Sequence, residues 1–291
     1  MRFTKMHGSG NDFVLIETGD TRQDWSRLAL AMCDRHYGIG SDGLLLLMPS
    51  DMADCKMRIF DPDGTEAEAC GNGLGCLVKY FADVRLAGSQ NREVSVETIA
   101  GVRSARVYTA ADKTTTVKTG MGEPVFGEKE IPVVIGQNEY NRVDIKLMVT
   151  CSVTLDGNEL GLNLVSMGNP HAVYFTQQPV SDFPLAQLGP KVEHLPMFSN
   201  RVNFEVVQIG DRQHIKARVW ERGAGETLAC GSGACAIAVA ARLHGYIDDK
   251  VAIELPGGTL EVEWGGGGEV FLSGQAETVF SGEWPEENRS S

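Results

Sequence analysis

Clustered basic residues, long apolar runs and a signal-peptide stretch are all missing from this sequence. Lys and Arg number 26 against 39 Asp and Glu, which gives a formal net charge of -13. Because a phosphate backbone is bound by clustered Lys and Arg, this balance argues against a nucleic-acid or acidic-membrane binder. The longest apolar runs, near Leu44 to Met48 and Ala234 to Ala241, are too short to span a bilayer. We therefore expect a cytoplasmic protein.

Two common site motifs are also missing. The seven cysteines contain no two-residue spacing of the zinc or thioredoxin type, so the sequence predicts reduced thiols and no metal site. The glycine loop Gly38 to Gly43 has no Lys-Ser or Lys-Thr after it and no dinucleotide spacing. This argues against nucleotide binding.

One segment of the chain occurs twice. Arg58 to Gly73 and Arg218 to Gly233 align without a gap at an offset of 160 residues (218 minus 58). The identical pairs are Arg58 and Arg218, Glu66 and Glu226, Ala69 and Ala229, Cys70 and Cys230, Gly71 and Gly231, and Gly73 and Gly233. The match predicts two duplicated halves, each of which presents one cysteine.

Cys70 and Cys230 each precede a stretch with the apolar spacing of a helix. At a helix start the first backbone N–H groups have no partner within the helix, and the macrodipole favours negative charge. We therefore expect both thiols to have a pKa below the ordinary value of about 8.5. The neighbouring amides could also hold a carboxylate. For a single cysteine, burial for packing would be the simpler interpretation, but the duplication favours a function.

The rest of the sequence predicts strands with a few helices in both halves. Helical spacing also occurs over Trp25 to Cys33 and Leu185 to Leu195. A Gly, Glu and Pro rich stretch after about Gly120 indicates the crossing between the halves. Asn169, in a Gly-Asn-Pro-His motif, follows Asn11 at an offset of 158 (169 minus 11). The repeat therefore extends beyond the cysteine segments.

Several motifs together resemble those of the diaminopimelate epimerase family and cover nearly the whole chain. They are the opening Lys5-Met6-His7-Gly8-Ser9-Gly10-Asn11-Asp12-Phe13, the Arg58 to Gly73 segment, Gly168-Asn169-Pro170-His171, Arg201-Val202-Asn203, and Glu221-Arg222-Gly223 with the second cysteine motif. The resemblance implies an α/β (α+β) fold of two pseudo-symmetric domains, each a β-barrel-like sheet around a central helix, with the active site in the cleft between them. The N-terminal half would be residues 1–120, joined by C-terminal strands at about 274–284, and the C-terminal half residues 121–273.

The resemblance also implies a reaction. Family members invert one α-carbon of LL-2,6-diaminopimelate to give the meso form, for lysine and peptidoglycan precursor synthesis, and use neither pyridoxal phosphate nor a metal. We therefore expect no cofactor. Two thiols on opposite sides of the α-carbon would act as base and acid. The expected partner is a small amino-acid substrate, and a homodimer is left open.

Residue roles follow from the resemblance position by position. Cys70 and Cys230 would be the catalytic thiols, assisted by His171 and Glu221. From the residues alone, His171 would be a loop histidine and Glu221 with Arg222 a surface ion pair. By resemblance the substrate would be held by Asn11, Asp61, Gly71, Asn72, Asn169, Asn203, Glu221, Arg222, Gly231 and Ser232, with Arg222 suited to the distant carboxylate through a forked hydrogen bond.

Two departures from the family pattern concern substrate choice. Asp61 occupies a position where many members have asparagine, and Gly43 one where many have glutamine. A cofactor-independent racemase of a different amino acid is therefore an alternative, and a non-catalytic thiol module for redox sensing or binding is a third hypothesis. A non-catalytic module predicts that replacing either cysteine leaves any activity untouched.

Overall fold

The computed structural model describes residues 1–67, 70–87, 92–110, 114–127, 129, 131–134, 141–145 and 148–285. Ala69 of the first repeat lies outside these ranges. By backbone contacts the chain divides into two compact units: unit 1 is Met1–Gly120 with the C-terminal segment from Ser273, and unit 2 is Met121–Leu272. Within the described ranges, the helices are too short or too polar to cross a membrane.

Over its described residues, unit 1 contains two helices and a set of strands. The helices are α1 (Trp25–Cys33) and α2 (Gly71–Arg85). The strands are β1 (Arg2–Gly8), β2 (Asn11–Glu17), β3 (Gly43–Met48), β4 (Cys55–Phe60), β5 (Glu93–Thr98), β6 (Gly101–Thr109), β7 (Thr115–Gly120) and β18 (Glu277–Glu283), which pairs with β1.

Unit 2 has a similar set of elements. Its helices are α3 (Leu185–Glu193) and α4 (Gly231–His244), with a short 3-10 helix at Val180–Asp182. Its strands are β8 (Asn141–Ile145), β9 (Met148–Leu155), β10 (Asn158–Ser166), β11 (Pro170–Phe175), β12 (Asn203–Ile209), β13 (His214–Glu221), β14 (Gly225–Thr227), β15 (Lys250–Leu255) and β16 (Gly258–Glu263). Strand β17 (Phe271–Gln275) carries the chain into unit 1.

The two units follow one topology. In unit 1, β2 pairs in parallel with β3, β3 antiparallel with β4, β4 in parallel with β5, and β5 antiparallel with β6. In unit 2 the same relations join β11 to β12, β12 to β13, β13 to β15, and β15 to β16. The repeat predicted from the cysteine segments is therefore a repeat of a whole βα framework.

Each unit surrounds one helix with strands. Helix α2 contacts β1 to β7, and α4 contacts β10, β11, β12 and β16. Residues Ala234 to Ala241 of α4 are buried without interruption, as expected of a helix that is apolar on every side. The predicted fold class, α/β with a central helix inside a sheet, is confirmed.

A second helix covers the outer face of each sheet. Strand β3 is buried at all six positions because Leu45 and Leu47 pack toward α2 while Leu44 and Leu46 pack toward α1. Strand β12 repeats this arrangement, with Phe204 and Val206 in the cluster under α3. Glu205 therefore points toward the central helix, as Leu45 does in unit 1.

Candidate active site

Both cysteines occupy the N-cap position of a central helix, as the sequence predicted. The Cys70 sulfur accepts a hydrogen bond from the Gly73 amide at 3.3 Å, and the Cys230 sulfur accepts one from the Gly233 amide at 3.4 Å. Each sulfur thereby satisfies one backbone donor that has no partner within its helix. The two helix starts are thus local copies of one another.

An arginine–glutamate pair fastens the segment before each cysteine. Arg58 binds Glu66 through two hydrogen bonds of 2.6 and 2.8 Å, and Arg218 binds Glu226 through two of 2.8 and 3.0 Å. Forked pairs of this kind constrain both distance and orientation. The repeated Arg and Glu of the sequence therefore have a structural role, which is to fold the segment onto its strand ahead of the helix.

In unit 1 an asparagine amide faces the helix start. Asn11 Oδ1 lies 3.9 Å from the Cys70 sulfur and 3.4 Å from Nδ2 of Asn72. The Asn11 Nδ2 group donates to Asp42 at 2.8 Å, which fixes the direction of the amide. Three predicted site residues, Asn11, Cys70 and Asn72, are therefore together in the structure.

In unit 2 a chain of hydrogen bonds leads away from the cysteine. The Cys230 sulfur lies 3.5 Å from the Ser232 hydroxyl, which accepts from Asn169 Nδ2 at 3.2 Å. Asn169 Oδ1 lies 2.9 Å from Nε2 of His171, and Nδ1 of His171 lies 2.7 Å from a Glu205 oxygen. His171 and Glu205 have no exposed surface. His171 is thus linked to the helix start through Asn169.

Glu221 stands beside Cys230. Its carboxylate accepts from the Thr227 hydroxyl at 2.5 Å and from the Cys230 thiol. Burial raises the pKa of Glu221, which these two hydrogen bonds partly offset. A carboxylate and a thiol that share one hydrogen bond in a buried place can exchange a proton.

The expectation of a lowered pKa is wrong for Cys230. Burial raises its pKa well above the ordinary value, and the negative charge of Glu221 raises it further. The hydrogen bonds from Ser232 and the Gly233 amide act in the opposite direction but do not outweigh these effects. A helix start favours the thiolate, but burial of the thiol away from water raises its pKa, and burial is the larger effect at Cys230.

Comparison with known proteins adds the family. A family model described as diaminopimelate epimerase matches residues 3–127 and 163–279, which include both cysteine segments. The chain belongs to the diaminopimelate epimerase family. The diaminopimelate epimerase of Acetivibrio thermocellus is 46% identical over 286 residues, which cover 97% of this chain and 98% of that protein. That of Pelotomaculum thermopropionicum is 44% identical over 288 residues, which cover 98% and 99% of the two chains.

Solved structures share the fold at much lower identity. A phenazine biosynthesis protein of the PhzF family from Bacillus anthracis matches with a TM-score of 0.69 at 16% identity and covers 98% of this chain and 99% of its own. A hydroxyproline epimerase from Agrobacterium vitis matches with a TM-score of 0.68 at 16% identity and covers 97% and 90%. At such identity the likeness concerns the fold alone.

Asn203 and Arg222, which the family pattern suggested as substrate-binding residues, form hydrogen bonds with the backbone of the protein itself. Asn203 uses its whole amide on the backbone, since Nδ2 donates to Pro170 at 2.9 Å and Oδ1 accepts from the Arg222 N–H at 2.9 Å. The Arg222 side chain is exposed and donates to the Asn200 carbonyl at 3.1 Å. Asn203 thus holds the Arg222 turn in place in this structure.

Asp61 and the glycines lie where each segment turns toward its helix. Asp61 follows β4, and burial together with the charge of Asp63 raises the pKa of its carboxyl group. Gly71 and Gly231 are the first residues of α2 and α4. Without side chains they leave the first turn of each helix open to a close ligand.

Sequence reasoning missed Glu205 and Asp42. Glu205 lies in the apolar stretch Val202 to Ile209, where a lone carboxylate two residues after Asn203 was the available signal. Strand alternation places residues 203 and 205 on the same face, toward the site. For Asp42 the only signal in the sequence was an acidic residue in a glycine loop. Its contact with Asn11 depends on the parallel pairing of β2 and β3.

Proposed function

We propose that this chain is a diaminopimelate epimerase, which inverts one α-carbon of LL-2,6-diaminopimelate to give the meso isomer. Membership of the family is the observation that carries the proposal, and the duplicated cysteine-capped helices support it. The product serves lysine and peptidoglycan precursor biosynthesis. The substrate is a small zwitterionic amino acid, which suits a site built from amides, carboxylates and one exposed arginine.

The two thiols supply the acid and the base. Inversion of a stereocentre requires that a proton leave one face of the α-carbon and that another arrive on the opposite face. A thiolate on one helix start removes the α-proton, and the thiol on the other returns one; the roles reverse for the opposite direction. The proposal requires that Cys70 and Cys230 reach one α-carbon.

Glu221 acts as proton partner of Cys230. An ionised Glu221 raises the pKa of Cys230, and two adjacent negative charges repel each other, so the pair favours one shared proton over two negative charges. When Cys230 is to act as base, Glu221 takes the thiol proton. When Cys230 is to act as acid, the thiol keeps the proton and Glu221 is the charged member.

The helix starts stabilise the carbanionic transition state. Removal of the α-proton places negative charge on the substrate α-carboxylate. Free N–H groups in the first turns at Gly71-Asn72 and Gly231-Ser232 can donate to that carboxylate more strongly as its charge grows. Asn11 and Asn169 then hold the substrate amino group, and Arg222 holds the distant carboxylate.

Exchange of the α-proton tests the proposal. The purified chain is incubated in D₂O with LL-diaminopimelate. The isomers are separated by chiral chromatography, and their deuterium content is measured by mass spectrometry. We expect LL and meso isomers to reach equilibrium, with deuterium at the inverted carbon of the product. L-Proline and trans-4-hydroxy-L-proline serve as comparison substrates. Faster exchange of either, or none with diaminopimelate, would contradict the assignment and favour a racemase of another amino acid.

A further inference from the structure

Glu205 and His171 form a buried pair that the proposed proton transfers do not use. Both side chains are fully buried, and one Glu205 oxygen lies 2.7 Å from Nδ1 of His171. Among the described residues, the second Glu205 oxygen has no hydrogen-bond partner. Taking a carboxylate out of water costs several kcal/mol unless every lone pair is satisfied. Such a pair is therefore not explained by packing.

The other unit shows that the fold does not need this pair. In unit 1, Phe13 lies opposite Gly43, and Leu45 follows Gly43 by two residues. In unit 2, His171 lies opposite Asn203, and Glu205 follows Asn203 by two residues. A methyl group added to Gly73 would meet Leu45 at 3.1 Å, and one added to Gly233 would meet Glu205 at 3.0 Å. The same position under the first helical turn thus holds Leu45 and Phe13 in unit 1 and Glu205 and His171 in unit 2. Unit 1 thus builds the same framework with an apolar pair at this place.

The hydrogen-bond partner of His171 Nε2 determines how many protons the His171–Glu205 pair holds. Asn169 presents its Oδ1 to Nε2 of His171 at 2.9 Å, while its Nδ2 donates to the Ser232 hydroxyl. An amide oxygen only accepts, so Nε2 must carry a proton. One more proton lies between Nδ1 and Glu205. The pair therefore holds two protons and no net charge.

We propose that Glu205 is a positioning residue of this site: its carboxylic O–H donates to Nδ1 of His171, which leaves Nε2–H to donate to Asn169. Asn169 then directs its N–H toward Ser232 at the start of α4. The proton resides on Glu205 rather than on the imidazole because the carboxyl group is wholly buried and has one unpaired oxygen. Burial also raises the pKa of Glu205.

A neutral pair has a consequence for the thiol. The negative charge of an ionised Glu205 is among the influences that raise the pKa of Cys230. A protonated Glu205 removes that charge and leaves Glu221 as the only proton partner of the thiol among these carboxylates. Any effect of this charge on the reaction rate rests on the proposed function, whereas the protonation state of His171 does not.

Nitrogen NMR of the histidine rings tests the protonation state directly. The chain contains six histidines, and the double variant Glu205→Leu/His171→Phe identifies the His171 signals by their loss. In protein labelled with ¹⁵N-histidine we expect a proton bonded to Nε2 and none to Nδ1. Signals of an imidazolium with protons on both nitrogens, or of the Nδ1–H form, would overturn the proposal.

Conservative and apolar variants test the positioning role. Glu205→Gln retains an N–H donor toward Nδ1, so we expect the Nε2–H form and a kcat within about threefold of the parent. Glu205→Leu removes the donor, and we expect loss of the single tautomer with a kcat lower by about tenfold or more. An unchanged kcat in Glu205→Leu, or an equal loss in both variants, would refute a donor role.

The double variant separates folding from positioning. Glu205→Leu/His171→Phe rebuilds the apolar pair of unit 1, so we expect a Tm no lower than that of the parent and a kcat as low as in Glu205→Leu. A double variant that recovers parental kcat would also refute the proposal. Failure of the proposed function would appear differently, as parent enzyme that exchanges no diaminopimelate while His171 still shows the Nε2–H form.

Discussion

Beneath the first turn of α2 lie Leu45 and Phe13, whereas beneath the first turn of α4 lie Glu205 and His171. Above these pairs the two helix starts are alike, each with a cysteine cap and each preceded by a forked Arg–Glu pair. The shared part belongs to the framework, since it recurs wherever the framework recurs. The part that differs is the set of residues packed around each thiol.

The surroundings of the two thiols differ in charge as well as in packing. Cys70 faces the Asn11 amide, whose direction is fixed by Asp42. Cys230 faces Ser232 and hydrogen bonds to Glu221, and its pKa is raised by burial and by that carboxylate. Asp61 occupies the position of Glu221 in unit 1 at the repeat offset of 160 (221 minus 61). The residues around the two cysteines thus differ between the two copies of the fold.

Removal of either thiol is the change with the largest expected effect. Because inversion needs both faces of the α-carbon, Cys70→Ala and Cys230→Ala should each lower kcat for epimerisation by about 10²–10⁴-fold or more. The measurement is the approach of LL-diaminopimelate to isomer equilibrium. Cys76→Ala and Cys235→Ala, which remove buried thiols of the same helices, are the controls and should retain most of the activity. Full activity in either cap variant would favour a non-catalytic role for that cysteine.

The prediction of both helix starts succeeded because the necessary information was local. Apolar spacing identifies α1, α2 and α4, and α3 ends at Glu193, two residues before the predicted Leu195. The strands of both units were predicted largely by alternation. Strand β11 was missed, since Pro170 and His171 at its start were assigned to a loop.

The chemistry of the site was less predictable because it depends on contacts across strands. The pKa of Cys230 is set by its burial and by Glu221, neither of which follows from a position at a helix start. Glu205 reaches His171 only through the parallel pairing of β11 and β12. Sequence neighbours predict which residues begin an element, whereas strand register decides which side chains meet.

Grafting the unit 2 pair into unit 1 should break the framework. Phe13→His with Leu45→Glu would bury a carboxylate and an imidazole where Asn11 already directs its amide toward Asp42, so the new ring nitrogen has no acceptor. We expect the free energy of unfolding to fall by about 3–5 kcal/mol. Urea unfolding followed by circular dichroism measures it. The reverse graft, Glu205→Leu/His171→Phe, is the matched control, and equal losses from both grafts would show that the two positions are not distinguished by their neighbours.

Acid should weaken a charged network next to Asn11 that unit 2 lacks at the corresponding position. Burial alone would raise the pKa of Asp12, but hydrogen bonds from Arg35 and Lys5 outweigh it and lower the pKa to about 2. A lowered pKa contributes stability above the ordinary value of 3.8, and this contribution is lost as the pH falls from about 4 toward 2. Pro170 holds the corresponding position in unit 2, so that unit has no such group there.

Asp12→Asn should therefore be destabilised at neutral pH by at most about 2 kcal/mol, and its difference from the parent should shrink as the pH falls from about 4 toward 2. The measurement is urea unfolding at a series of pH values. The control is Asp182→Asn, which removes an exposed carboxylate of unit 2. A difference that stays constant from pH 7 to pH 2.5 would rule out the ionised Asp12 network as its source.

The smallest expected effect concerns the feature that the two units share. Arg218 binds Glu226 and also donates to the carbonyls of Val180 and Phe183 at 2.9 Å each, whereas Arg58 binds Glu66 and lies 4.9 Å from the centre of the Phe60 ring. Both ion pairs are partly solvated, so the forked contacts themselves should contribute similarly and modestly.

Arg218→Met should then lower the free energy of unfolding by about 1 kcal/mol more than Arg58→Met, because it leaves two carbonyls without a donor. Glu226→Gln and Glu66→Gln, which weaken the pairs but keep both arginines, should have equal effects and serve as controls. Equal losses from the two arginine variants would mean that the carbonyls are satisfied by water, and that the framework is as symmetric in energy as it is in sequence.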